Sequence, residues 1–240
     1  MLVEVCANSL ESALNAQKAG ADRIELCSEL AVGGITPSYG LLKLIREQIS
    51  IPVHVLIRPR SGDFTYSDLE FEIMMRDISL CVEMGFDGVV SGVLHKDYSL
   101  DGKRTEDLVR ASANLNFTFH RAFDWVRQPL HTLRSLEDMG VSYVLTSGQK
   151  KSALAGIELL QELNGRASNI VVMPGSGIND NNAAVFKEKG FKAVHLSGTK
   201  LQQTLLEDPL VSMNSSSFMN DDKIAITSTE TIKAVVDKVK

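Results

Sequence analysis

Cysteine is scarce in this chain. The three present, Cys6, Cys27 and Cys81, are too few and too odd in number for a disulfide framework, so the fold must rest on a buried core and the thiols point to a reducing compartment. Basic residues do not predominate either: 25 Lys and Arg face 30 Asp and Glu, a formal charge of -5, which excludes the basic face of a general nucleic-acid binder. No apolar run approaches the roughly 20 residues that span a bilayer. The opening M-L-V-E-V-C also lacks the basic region and long apolar core of a secretory signal. A cytoplasmic protein without nucleic-acid or membrane partners is expected.

What the chain does have is a repeated phrase: an amphipathic stretch, a Gly, one or two linking residues and an apolar, mostly β-branched run. It occurs as A-G-A-D-R-I-E-L-C from Ala19, M-G-F-D-G-V-V-S-G from Met84, M-G-V-S-Y-V-L-T-S-G from Met139 and K-G-F-K-A-V-H-L-S-G from Lys189. Glycine suits a helix end that needs positive φ, so each should close a helix and launch a strand. Four further apolar runs, Leu2 to Cys6, Val53 to Ile57, Phe117 to His120 and Asn169 to Met173, bring the expected strands to eight. Helical stretches separate them: Leu10 to Lys18, Leu41 to Gln48, Asp68 to Glu83, Thr105 to Ala113, Leu130 to Asp138, Ala153 to Leu163 and Asn182 to Lys189.

Strict alternation implies parallel strands with right-handed crossovers. An α/β, TIM-like (β/α)8 barrel is the expected fold, with an open doubly wound sheet as the alternative. The 240 residues, 44% of them apolar, match the roughly 250 of a one-domain barrel, so a single domain over 1–240 is expected. The polar stretch 197–228 lacks a helical stripe and reads as a long irregular loop over the surface or the rim. Residues 229–240 read as a closing helix.

Period-two alternation places Glu4 with Cys6 on one face of the first strand and Glu25 with Cys27 on one face of the second, and neighbouring strands lie about 4.8 Å apart. The two sulfurs can therefore meet, as a soft metal site suited to Cu(I) or, with further ligands, Zn. The bland alternative is that each is a small core hydrophobe. Cys81 lies on a helix's apolar stripe and reads as structural.

The strand-end segment F-T-F-H-R-A-F-D gathers His120, Arg121 and Asp124 at the carboxyl-terminal rim, where barrels bind their ligands. Arg58 and Arg60 flank Pro59 and would form a fork for a carboxylate or phosphate, or else pair with Asp63 or Glu25. Gly175, Ser176 and Gly177 follow the seventh strand, and Ser197 and Gly198 the eighth. Small residues there let backbone N–H groups approach an anion. Lys150 and Lys200 lie beyond strand ends, so no inward lysine suggests Schiff-base chemistry.

These segments, with V-E-V-C, G-A-D-R-I-E-L-C, G-G-I-T-P-S-Y-G, I-P-V-H-V-L-I-R-P-R-S-G-D-F-T-Y-S-D and V-L-T-S-G-Q-K, resemble the CutC family, named for copper homeostasis, over nearly the whole chain. The resemblance implies a cytoplasmic TIM-like barrel that handles copper, with Cu(I) held by thiols at Cys6 and Cys27. It departs where some members carry further cysteines, at Ala7 and Thr65, and at Ser61 where a second glycine is usual.

Two functions are thus expected as alternatives. One is a copper homeostasis protein binding Cu(I) through Cys6 and Cys27. The other is a barrel enzyme acting on a small anionic or phosphorylated metabolite, with His120, Glu25 and Asp124 exchanging protons and Arg58, Arg60, Arg121, Gly175, Ser176, Gly177, Ser197 and Gly198 holding the anion. No organic cofactor is implied. Tyr66, Phe71 and Phe218 are candidate contacts of a homo-oligomer.

Overall fold

A computed structural model of the protein describes residues 1–207, 209–213 and 221–240. Eight strands alternate with helices: β1 (Leu2–Ala7), α1 (Leu10–Lys18), β2 (Arg23–Leu26), α2 (Tyr39–Gln48), β3 (Val53–Leu56), α3 (Asp68–Glu83), β4 (Gly88–Ser91), α4 (Gly102–Ala111), β5 (Asn116–Phe119), α5 (Pro129–Asp138), β6 (Tyr143–Thr146), α6 (Ile157–Arg166), β7 (Val171–Pro174), α7 (Ala183–Glu188) and β8 (Ala193–Leu196). All pairings among them are parallel, and the order β7-β6-β5-β4-β3-β2-β1-β8 returns on itself through a parallel bridge from Gly175 to His195. That bridge closes the sheet into a barrel and removes the open-sheet alternative.

The repeated phrase has the expected geometry. Gly20, Gly85, Gly140 and Gly190 all take positive φ just after helices α1, α3, α5 and α7. In two repeats the following Asp adds a function: Asp22 accepts the N–H of Val3, and Asp87 that of Val53, so each binds the start of a neighbouring strand. Helix starts are set by side chains that satisfy orphan N–H groups: Ser9, Ser38 and Ser67 do so for α1, α2 and α3, the last in a reciprocal box with Glu70.

Alternation divides each strand's residues between two cores. Val3, Val5, Ile24, Val55, Val89, Phe117, Phe119, Val144 and Val172 face outward and pack with the helices in the main apolar cluster. The inward face of the barrel is partly ionic. Arg23 and Glu4 form an ion pair at 2.6 Å with both side chains buried, Arg23 lies 4.0 Å from the Tyr143 ring centre, and Thr118 Oγ1 is 3.4 Å from His54 Nδ1. Burial, with the Arg23 charge, depresses the His54 pKa to about 3.

The stretch read as a loop from 197 to 228 is framed by a hairpin: β9 (Thr199–Gln203) pairs antiparallel with β10 (Lys223–Thr227) before the closing helix α8 (Thr229–Val239). Asn8 and Asn15 donate to Ala225 and Thr227 carbonyls, so the hairpin is fastened to α1 beside the barrel mouth. The expected contact residues also differ: Tyr66 is buried, Phe71 is half-buried beneath Arg104, and Phe218 lies outside the described residues.

Candidate functional site

At the carboxyl-terminal mouth, where the strands' inward faces end, lies a cavity of about 920 Å³. Its floor is built by β1, β2 and β8. The register sets Cys6 beside Glu25 and Glu4 beside His195, so side chains from both ends of the chain converge. Cys6 Sγ is 3.4 Å from Cys27 Sγ. Donor atoms of Cys6, Glu25 and His195 all lie within 4.8 Å of one another. Cys6, Glu25 and His195 line the cavity, while Cys27 is wholly buried. Cys81 is buried in α3, as its apolar stripe predicts.

Each group is tuned by its neighbours. The hydrogen bond with Cys27, then burial, then the charges around it, push the Cys6 thiol well above its ordinary pKa. Burial raises that of Glu25, whose Oε2 has no hydrogen-bond partner. Burial also opposes ionisation of Glu4, but Arg23 and His195 outweigh it and lower its pKa to about 2. For His195 burial works against the cation, yet Glu25 and Glu4 prevail and its pKa is raised. Its Nδ1 lies 2.8 Å from Glu4 Oε1. An ionised Glu4 accepts the Nδ1 proton, which leaves Nε2 as the nitrogen available for a ligand, the carboxylate–imidazole arrangement that orients histidine ligands.

Of the other predicted residues, His120 lines the cavity and is 5% exposed. Its Nδ1 accepts from Ala122 N–H at 3.2 Å, and Nε2 is buried without a partner. Arg58 lines the cavity as well, but its guanidinium donates to the carbonyls of Val32, Gly34 and Gly62, holding the loops after β2 and β3. Arg60 points elsewhere, into ion pairs with Glu70 at 2.5 Å and Asp63 at 3.2 Å; the expected two-arginine fork does not assemble.

Arg121 borders the cavity with Nε bonded to Asp124. Asp124 itself is not among the cavity's lining residues. It accepts from Thr146, from Ser147 and from Gln149 N–H, so its acceptor sites are spent on tying the 3-10 turn Arg121–Trp125 to the loop after β6. Ser176, Gly177, Ser197 and Gly198 are lining residues; Gly175 is in the strand bridge beneath them. His195, not singled out as a site residue in the sequence, was detectable only as the residue two before Ser197 on β8, and the register that brings it to Glu4 is a tertiary fact.

Comparison with known proteins bears on this geometry. Residues 1–200 match the model of the CutC family. The chain belongs to the CutC family. A CutC family protein of Salmonella heidelberg is 45% identical over 221 residues, covering 92% of this chain and 88% of the relative, and one from Salmonella schwarzengrund is 46% identical over the same shares. Among solved structures, the Streptococcus agalactiae protein described as a copper homeostasis protein CutC is 34% identical with a TM-score of 0.78, covering 82% of this chain and 98% of that one. Thiamine phosphate pyrophosphorylase from Pyrococcus furiosus, at 15% identity and TM-score 0.59 over 99% of this chain and 95% of that one, shares the barrel fold alone. This CutC chain has no helix among its described residues long and apolar enough to cross a membrane.

Proposed function

We propose that this CutC chain handles copper by binding Cu(I) at Cys6 and Cys27, with His195 Nε2 as the nitrogen donor beside them. The observation that carries the reading is the 3.4 Å approach of the two sulfurs next to a histidine and a carboxyl on a cavity floor. Thiolates with imidazole suit the soft monovalent ion.

Charge argues the same way. Glu4 is neutralised by Arg23, and burial favours the proton on Glu25. With those two acids neutralised, the thiolates supply the negative charge that meets the cation. The raised Cys6 pKa means that loading must displace a proton, so affinity should rise with pH. Three free thiols support a reducing, cytoplasmic setting.

Titration of the reduced protein with Cu(I) against a competing chelator tests the reading. One equivalent should bind, with affinity lower by about a hundredfold or more in Cys6→Ala and Cys27→Ala, and by about 10- to 100-fold in His195→Gln. Equal affinity in wild type and the double cysteine variant would remove the proposal.

A further inference from the structure

We propose that the same mouth binds an organic ligand, a small phosphorylated molecule whose phosphate rests on the loops after β7 and β8 and whose far end offers an oxygen to His120. Such a ligand needs no contact with the two sulfurs.

Size is the first observation. A cavity of about 920 Å³ falls in the range of about 300–1,000 Å³ used for small organic ligands, and a metal ion at Cys6 occupies only one corner. Its walls include Phe64 and Trp125, whose ring centres are 4.8 Å apart, an apolar flank suited to a carbon skeleton.

Second is the loop chemistry. Ser176 and Gly177 take φ of 78° and 75°, a left-handed turn directly after β7 that leaves the backbone N–H groups there outside any strand ladder. Among the described residues, the backbone N–H groups of Ser176, Gly177, Ile178, Ser197 and Gly198 donate to no protein acceptor, and all five residues line the cavity. Arg121 sits on the same wall with Nε and one terminal nitrogen bonded to Asp124 and Ser147; among the described residues its other terminal nitrogen makes no hydrogen bond. The lining residues carry two arginines and one acid, Glu25, on a chain of formal charge -5.

Third, and independent of the loops, is His120. Ala122 N–H occupies its Nδ1 lone pair, and burial with the nearby Arg58 charge holds its pKa at about 3. At neutral pH the ring thus carries its single proton on Nε2. That N–H is buried with no acceptor, an arrangement that native structures rarely leave unmet. A carbonyl or carboxylate oxygen fits it; a cation does not.

The chain's single tryptophan, Trp125, borders the cavity and makes binding visible. Metal-free, reduced protein would be titrated with 2-phosphoglycolate, inorganic phosphate and glycolate while Trp125 emission is followed. We expect a saturable change with 2-phosphoglycolate, competition by inorganic phosphate, and glycolate weaker by about tenfold or more. Ser176→Asp and Ser197→Asp should each weaken 2-phosphoglycolate by a similar factor through charge repulsion, and an unchanged thermal midpoint checks their folding. His120→Ala should weaken 2-phosphoglycolate and spare inorganic phosphate. The Cys6→Ala, Cys27→Ala double variant should bind both as wild type does, so the failure of copper binding and the failure of this site remain distinct results. Absence of a saturable response at millimolar 2-phosphoglycolate, equal affinity for glycolate, or binding indifferent to both folded Asp variants would overturn the proposal.

Discussion

At the scale of single residues, the buried pair Glu4–Arg23 decides how the site behaves. Glu4 accepts from Arg23 on one oxygen and meets His195 on the other. Removing its charge should act twice. Glu4→Gln would leave Arg23 buried without its counterion, which typically costs about 3–5 kcal/mol, and would loosen the His195 ring, which typically costs about 10- to 100-fold in metal affinity. Urea unfolding reads the first effect and Cu(I) competition the second. If stability falls while copper affinity does not, His195 is not a ligand.

Glycines inside the barrel are equally constrained. A Cβ at Gly88 would sit 2.4 Å from His54 Cδ2, against a ring hemmed in by β3 and β5. Gly88→Ala should therefore destabilise the fold by about 1–3 kcal/mol through overpacking, measured by chemical denaturation. Sequence placed Cys6, Glu25 and Cys27 well because a strand's two-residue period is a local property. It could not say that Arg58 and Arg60 diverge, because their partners, the Val32 carbonyl and Glu70, come from the β2–α2 connection and the first turn of α3.

At the scale of elements, Asp124 is the clamp between the turn after β5 and the loop after β6. Its carboxylate takes hydrogen bonds from Thr146, Ser147, Gln149 and Arg121, and bonds to charged groups are worth about 1.5–3 kcal/mol each. Asp124→Ala should cost about 3–5 kcal/mol in urea unfolding; since these bonds are not independent, the sum of single values is not expected. A loss below about 1 kcal/mol would refute the clamp.

The helices were legible from Gly-terminated periodicity to within a few residues, with α6 the largest departure: it starts at Ile157, four residues after the expected Ala153. Lys151 to Gly156 is diverted because Gly156 packs against Gly148 too closely for any side chain at either position. Strands β9 and β10 escaped because T-K-L-Q-Q carries little β signal and its partner K-I-A-I-T follows only after a long polar stretch. Hairpin recognition from sequence relies on short turns.

At the scale of the whole molecule, the polar barrel interior makes stability depend on pH. His54 and His120 both have pKa values near 3 in the folded protein against about 6.5 in an unfolded chain. Between those values the unfolded state binds protons that the native state refuses, so their contribution, full above about pH 6.5, is lost as pH falls. Glu25, raised by burial, contributes with the opposite sign above its unfolded value. His195, also raised, adds stability that is lost as pH rises through its folded pKa. The two depressed histidines dominate between about pH 6.5 and 5, and stability should drop there by about 2–3 kcal/mol. Denaturant midpoints across that range check it, and His54→Gln should flatten the slope. A flat wild-type profile would mean that both rings already protonate in the folded state.

The first and last barrel strands are neighbours, and through them the imidazole meets a carboxylate 191 positions earlier in the polypeptide. A ribosome-bound intermediate therefore carries both sulfurs long before it has their nitrogen companion. If copper is held as proposed, full affinity comes only once the eighth strand has joined the first.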